Sequence, residues 1–285
     1  MAEESQSEGG LVPAFRRQKR ETKMHHHKAI EIKNLYFSYP DGTRALNKIN
    51  LSIENGESVA LLGPNGAGKS TLLLHLNAIL QGQGEIRIFN LPIVSENIRE
   101  IRRRVGVVFQ DPDDQLFCPT VFDDVAFGPI NMGLSREEVN KRVKKALGEV
   151  GMKGFEEKAA YHLSFGQKKR VATATVLSME PDILVLDEPS SNLDPKGRRE
   201  LLSILVSIPV TKIVVTHDLL FAMELCDRAI IMDDGKIVAD GSIDDILADE
   251  DVLDAHGLEA PAGIEEIKQR AKERSKVHRL RSTEA

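Results

Sequence analysis

Hydrophobic and polar positions in the first third of the chain form short β-rich runs between turn residues. The runs AIEIKNLYFSY and INLSIE lie on either side of the turn PDG, and the turn ENG leads into the mostly apolar run SVALL. Short apolar runs bounded by such turns are typical of strands. The pattern predicts antiparallel strands that lead into a buried strand, with a further strand at EIRIFN, residues 85–90.

Apolar residues spaced three and four apart predict helices further along the chain. The first is KSTLLLHLNAIL, which has the composition of a buried helix. A second helix follows Ser135, where Glu138 three residues later completes the sequence signature of a capping box. A third is predicted from Gln167 to Met179. The buried face of the second helix is formed by Val139, Val143, Ala146, Leu147 and Val150.

Short strand-like runs with an apolar centre also occur along the chain. RRVGVVFQ ends at Gln110, DILVLDEP ends in two carboxylates, KIVVTHD ends in a histidine, and RAIIMDDGKIVADG predicts a hairpin that turns at Asp234-Gly235. Strands that are apolar on both faces and alternate with helices are typical of parallel sheets. The fold class is therefore predicted to be α/β with a parallel sheet.

The two ends of the chain differ from the middle in composition and in the pattern of apolar residues. Residues 1–28 are polar and charged without an apolar period and predict a disordered tail. Residues 29–242 form the predicted domain, and residues 243–285 form a charged, helical appendage. The three adjacent residues His25, His26 and His27 are poorly placed for one tetrahedral metal site, so a tail segment is the preferred interpretation.

Composition excludes several classes of protein. The 285 residues are 41% apolar and 29% charged, which is ordinary for a globular chain, and the start MAEESQSEGG lacks the apolar region of a secretory signal. No apolar run approaches the ~18 residues of a membrane span. A net charge of −6 and the absence of Trp argue against a nucleic-acid partner. Two cysteines, Cys118 and Cys226, fit a reduced compartment rather than a disulfide framework.

A glycine-rich loop between a predicted strand and a predicted helix carries the first chemical motif. Its sequence GPNGAGKS fits G-x-x-x-x-G-K-[ST], in which backbone N–H groups and a helix N-terminus surround phosphate oxygens. Lys69 is expected to add a charge at the β- and γ-phosphates, and Ser70 a hydroxyl for Mg²⁺. The predicted phosphate-binding residues are Gly63, Pro64, Asn65, Gly66, Ala67, Gly68, Lys69, Ser70 and Thr71.

Polar residues also follow three of the predicted strands. Asp187 and Glu188 end DILVLDE, His217 ends KIVVTH, and Gln110 ends RRVGVVFQ. In parallel sheets, ligand chemistry gathers at the carboxyl ends of the strands. Asp187 is the expected Mg²⁺ partner, Glu188 can orient or deprotonate a water molecule, and Gln110 can reach both.

Taken in order, these motifs resemble the nucleotide-binding subunit of ATP-binding-cassette (ABC) transporters. The resemblance runs from about Ala29 to Gly241 and also includes LSFGQKKR at 163–170 and SNLD at 191–194. It implies a P-loop NTPase with a RecA-like parallel sheet core, an antiparallel β subdomain and an α-helical subdomain at about 111–178. The implied activity is ATP hydrolysis with Mg²⁺.

The resemblance also implies roles for individual residues in a head-to-tail dimer. ATP would lie between the Lys69 loop of one subunit and the signature residues Ser164, Gly166 and Gln167 of the other. Glu188 would be the water base, His217 would contact Glu188 and the γ-phosphate, and Asp194 would bridge the subunits. Tyr39 would stack on adenine, although Tyr39, Tyr36 and Phe37 are also compatible with core strand positions. Phe165 departs from the usual glycine, so its side chain is expected to point away from phosphate.

Residues 110–131 are similar to the ATPases of energy-coupling-factor importers, including the cobalt and nickel group. The implied partners are a transmembrane coupling subunit and a substrate-binding membrane subunit, at the cytoplasmic face of the cell membrane. An exporter ATPase and a soluble non-transport ATPase are the alternatives, and both homodimer and heterodimer with a paralogue stay open. An acidic patch is expected to receive arginines of a coupling helix, or else to be a solvated loop. Its members are Asp111, Asp113, Asp114, Asp123 and Asp124.

Overall fold

The computed structural model describes residues 28–260, so residues 1–27 of the predicted tail, with His25–His27, and the appendage beyond residue 260 lie outside the described residues. Lys28, the last residue of the predicted tail, instead begins the first strand. The strands are β1 (Lys28–Ser38), β2 (Arg44–Glu54), β3 (Ser58–Leu62), β4 (Gln83–Ile88), β5 (Leu91–Pro92), β6 (Val105–Val108), β7 (Ile183–Asp187), β8 (Thr211–Val215), β9 (Arg228–Asp233) and β10 (Lys236–Ser242). The helices are α1 (Lys69–Leu76), α2 (Ile98–Arg104), α3 (Val121–Asn131), α4 (Arg136–Glu149), α5 (Phe165–Leu177), α6 (Pro195–Ser207), α7 (Leu219–Leu225), α8 (Ile243–Ala248) and α9 (Glu250–Ala255).

A six-stranded sheet in the order β10-β9-β3-β8-β7-β6 forms the centre of the fold. Its neighbours from β9 to β6 pair in parallel, and β10 closes the antiparallel hairpin predicted at Asp234-Gly235. Alternate residues of β3 and β7 enter two different apolar clusters, one on each face of the sheet. Burial on both faces explains why these strands are continuous apolar runs in the sequence, and the predicted parallel sheet is confirmed.

A second, antiparallel sheet in the order β2-β1-β4-β5 packs through its apolar face on α1 and the central sheet. On the other side of the central sheet, α3, α4 and α5 pack on one another. The predicted helix after Ser135 is confirmed, with the Ser135 hydroxyl accepting the Glu138 N–H. The Glu138 carboxylate binds Arg142 four residues on. The reciprocal capping box is instead found at Ser164 and Gln167, where α5 begins.

Several predicted boundaries shift in the structure. The first helix ends at Leu76 rather than Leu80, because Ala78 takes a left-handed conformation with φ of 58°. The strand before Gln110 ends at Val108. The predicted C-terminal helical segment consists, up to residue 260, of the two short helices α8 and α9. Among residues 28–260, no helix combines the length and the apolar character needed to cross a bilayer.

Candidate nucleotide-binding and hydrolysis site

The loop between β3 and α1 fits so closely against its neighbours that only glycine is tolerated at two positions. Gly63 has φ of 136°, and a Cβ there would collide with the main-chain carbonyl of Met232. Gly68 has φ of 96°, and a Cβ there would collide with the carbonyl of Ala45. The loop therefore keeps its backbone in a conformation that side chains disfavour, and such a glycine-rich backbone can turn N–H groups toward an anion.

Lys69 is the first residue of α1, and its ammonium group bends back over the loop. Nζ donates to the carbonyl oxygens of Gly63 and Pro64, both at 2.8 Å. Burial lowers the pKa of Lys69, and the nearby carboxylates Glu188 and Asp187 oppose that shift. The loop, the helix N-terminus and the lysine together make a binding site for a polyphosphate.

Asp187 and Glu188 lie at the carboxyl end of β7, beside the strand that ends before His217. Burial and then the neighbouring Glu188 raise the pKa of Asp187, while a hydrogen bond from Ser70 lowers it. The Glu188 carboxylate oxygen Oε2 lies 2.9 Å from His217 Nδ1. The histidine side chain is 74% exposed and the glutamate 13%, so the histidine is the member of the pair that faces the open cavity.

One cavity of about 740 Å³ collects most of the residues predicted from the sequence. The Tyr39 hydroxyl lies 2.9 Å from Thr71 Oγ1 at its wall, whereas the Phe37 ring packs between Tyr39 and the buried His75. Ala67 is buried beneath the loop, where its carbonyl accepts the Gly235 N–H. The predicted residues that line the cavity are Tyr39, Gly63, Pro64, Asn65, Gly66, Gly68, Lys69, Ser70, Thr71, Gln110, Asp187, Glu188 and His217.

The remaining predicted site residues form a separate surface. Ser164, Gly166, Gln167 and Asp194 line a different cavity of about 390 Å³. Ser164 caps α5, and Asp194 caps α6 by accepting the Gly197 N–H at 2.6 Å. Within one chain, the structure does not bring these residues into the nucleotide cavity.

Phe165 lies at the first position of α5 and lines a third cavity of about 400 Å³ together with Gln110 and Asp187, as well as the cavity around Ser164. The centre of its ring lies 5.7 Å from the ammonium group of Lys169.

Sequence reasoning missed some residues of this region. Thr43, Arg44 and Leu258 also line the nucleotide cavity, and the sequence offered no motif for them. Lys169 is buried with its ammonium group on the carbonyl of Glu188. A signal for Lys169 existed, because it shares a helical face with buried Ala172, Thr173 and Val176.

One prediction about the acidic patch is wrong. Asp124 is only 3% exposed, and its Oδ1 accepts the N–H groups of Phe117 and Cys118 at 3.0 and 2.9 Å. Burial raises the pKa of Asp124, and these two hydrogen bonds lower it. Its carboxylate shapes the turn before α3 and does not face a partner. Asp111, Asp113, Asp114 and Asp123 remain exposed.

A phosphate-binding loop, strand-end carboxylates and a parallel sheet define a P-loop nucleoside triphosphatase. The family model described as ABC transporter matches residues 46–191. The chain belongs to the ABC transporter family. It is an ATP-binding subunit that hydrolyses ATP in a transporter.

Three similar proteins place the chain within that family. The energy-coupling factor transporter ATP-binding protein EcfA of Methanocaldococcus jannaschii is 49% identical over 238 residues, which are 81% of this chain and 85% of that protein. The structure of cbiO1 from Clostridium perfringens, part of the ABC transporter complex cbiONQ, matches with a TM-score of 0.73 and 40% identity, covering 85% of this chain and 99% of that one. The ATP-binding cassette MJ0796, a dimer bound to ADP and Pi, matches with a TM-score of 0.68 and 30% identity, covering 75% and 98%.

Proposed function

We propose that this ATPase energises an importer of the energy-coupling-factor type at the cytoplasmic face of the cell membrane. The cargo is a metal ion or a vitamin-like micronutrient that membrane subunits select. The observation that carries the proposal is the 49% identity to a protein named as an energy-coupling factor ATPase. The similarity to cbiO1, part of the complex cbiONQ, supports the same class.

Glu188 and His217 are proposed to act on the water that attacks the γ-phosphate of ATP. The Glu188 carboxylate accepts a proton from the water or orients it, and His217, in contact with that carboxylate, faces the γ-phosphate. Lys69 neutralises charge on the β- and γ-phosphates. Tyr39, at the cavity wall beside Thr71, stacks on adenine.

Ser70, Gln110 and Asp187 are the residues proposed to hold Mg²⁺. Their hydroxyl, amide and carboxylate oxygens lie at one cavity and are the hard donors that Mg²⁺ prefers. Within residues 28–260 there is no cluster of three or more His, Cys, Asp or Glu side chains that could hold a metal, so phosphate oxygens would complete the shell. When bound, Mg²⁺ offsets the charge of the phosphates during hydrolysis.

A head-to-tail dimer is proposed because one chain carries two incomplete halves of a site. The nucleotide cavity holds the phosphate loop, and the surface around Ser164 and Gly166 lies apart from it. That surface is the N-terminus of α5, which favours an anion. ATP between the two halves closes the dimer, and loss of the γ-phosphate opens it. The second chain is a copy of this one or a paralogue.

The surface formed by Phe117, Phe127 and Ile130 is proposed to receive a helix of the membrane coupling subunit. These side chains are 66%, 50% and 59% exposed, and the two phenylalanine rings lie edge to face with centres 5.1 Å apart. The exposed carboxylates Asp114 and Asp123 lie in the flanking segments. An apolar surface rimmed by acids suits a helix that carries apolar residues and arginines.

The test is a mild-detergent purification of the tagged protein from its native membranes, with partners identified by mass spectrometry. The proposal predicts recovery of a coupling membrane protein and a small substrate-binding one. Phe127→Asp should abolish the recovery of both partners, whereas Val206→Asp, at an apolar position of similar exposure on α6, should not. A large two-fold permease, or soluble partners alone, would contradict the importer.

A further inference from the structure

Lys169 is a charged side chain in the interior of the molecule. It lies in the second turn of α5, is 1% exposed, and its Nζ donates to the main-chain carbonyl of Glu188 at 2.9 Å and to Ser191 Oγ at 3.3 Å. The Ser191 hydroxyl in turn donates to the same Glu188 carbonyl at 2.8 Å. Two donors therefore hold one carbonyl oxygen.

Burying an ammonium group costs several kcal/mol unless its surroundings compensate. Both of these acceptors are neutral, and the compensating charges are the nearby carboxylates of Glu188, Asp111 and Asp187. Burial lowers the pKa of Lys169 to about 8. A charge kept at such a cost beside the hydrolysis site indicates a role beyond packing.

The residue that Lys169 holds has an unusual backbone. Glu188 has φ of 43°, a left-handed conformation that costs a non-glycine residue about 1–2 kcal/mol. Its N–H donates to the Val215 carbonyl at 2.8 Å, so β8 fixes one side of the residue. Lys169 and Ser191 fix the other side. The direction of the Glu188 side chain toward His217 depends on both.

We propose that Lys169 is a positioning residue for ATP hydrolysis, which holds the Glu188 backbone so that its carboxylate meets the attacking water. The inference rests on the proposed role of Glu188. Because α5 begins at Ser164–Gly166, Lys169 also ties that surface to the turn at Glu188–Ser191. A phosphate bound at the N-terminus of α5 and the hydrolysis site of the same chain are thereby mechanically connected.

The test compares Lys169→Met with Lys168→Met. Methionine preserves the length of the side chain and removes the donor, so kcat is expected to fall about 10- to 100-fold. The Kd for ATP should stay within twofold, because Lys169 does not line the nucleotide cavity. Lys168 is the matched control at the next position, where its ammonium group pairs with Asp113 at 2.6 Å. Lys168→Met should leave kcat within twofold.

Lys169→Arg keeps a charged donor and should recover at least a third of the wild-type kcat. A kcat of Lys169→Met within twofold of Lys168→Met would overturn the inference. A parallel loss of kcat and of the number of nucleotides bound per chain would also overturn it, because it would mean a purely structural role. If Lys169→Met does not fold, Ser191→Ala removes the other donor to Glu188, and a kcat unchanged there would overturn the inference.

Glu188→Gln, measured alongside, separates this inference from the proposed function. If Glu188→Gln still hydrolyses ATP, the proposed role of Glu188 is wrong and the inference falls with it. If Glu188→Gln is inactive while Lys169→Met is normal, only the inference is wrong.

Discussion

The nucleotide cavity and the surface around Gly166 both depend on glycine, but for different reasons. At position 63 the fold of the chain requires glycine, because φ is 136° and a Cβ would collide with the main-chain carbonyl of Met232. At Gly166 the nearest atom that a Cβ would meet among the described residues is Leu193 Cδ2 at 3.5 Å, an ordinary contact. The fold of one chain therefore explains the first glycine and does not explain the second.

The same difference extends to the neighbouring side chains. In the nucleotide cavity, side chains from different parts of the chain contact one another: Tyr39 contacts Thr71, and His217 contacts Glu188. At the second surface, the hydrogen bonds that the Ser164 and Asp194 side chains make within residues 28–260 stay inside their own helix caps. One region is assembled by the chain itself, and the other is the surface proposed to meet a second chain.

The largest effect on folding is expected from Gly63→Ala. The strained backbone and the collision with Met232 should together lower the free energy of unfolding by about 3 kcal/mol. Denaturant unfolding measures this change, and nucleotide binding should be lost with it. A variant as stable as the wild type would mean that the loop is looser than the contact with Met232 implies.

Gly166→Ala should separate folding from function. Alanine in the first turn of α5 has room and favours the helix, so the unfolding free energy should stay the same or rise by about 0.5 kcal/mol. Hydrolysis should nevertheless fall about 100-fold, because a methyl group would keep the helix N-terminus from the phosphate. Two quantities are measured: kcat, which should fall, and the Kd for ATP binding to a single chain, which should not change. Normal hydrolysis would mean that nothing approaches Gly166 closely.

Phe165→Gly should have a smaller effect. Phe165 lines a cavity together with Gln110 and Asp187 of its own chain, and Gly166 beside it is retained. Hydrolysis is expected to stay within roughly tenfold of the wild type, about 1.4 kcal/mol of barrier. Steady-state kinetics measure it, and a larger loss would mean that the ring has a positive role, for example in shielding Lys169.

The sequence predicted the parallel sheet because β7 and β8 are buried on both faces and so appear as unbroken apolar runs. It also predicted the phosphate loop, since a local motif of glycines and Lys69 carries that chemistry. Helix ends were less predictable. The end of the first helix depends on the left-handed conformation of Ala78, and no sequence motif predicts that conformation.

Residues whose role depends on distant contacts were missed or misjudged. Asp124 looked like a surface acid because four other acids surround it in sequence, but it folds inward onto the backbone before α3. The role of Lys169 within LSFGQKKR was missed, because only the packing of α5 against the turn at Glu188 reveals its acceptor. Arg44 and Leu258 reach the nucleotide cavity through tertiary structure alone.

Light scattering of Glu188→Gln with saturating MgATP tests most directly whether a second chain completes the nucleotide site. A stable dimer is expected, with twice the 31.6 kDa of one chain, because ATP bridges the two halves and is not hydrolysed. The same variant without nucleotide should scatter as a single chain. A mass of one chain in MgATP would contradict the proposed dimer.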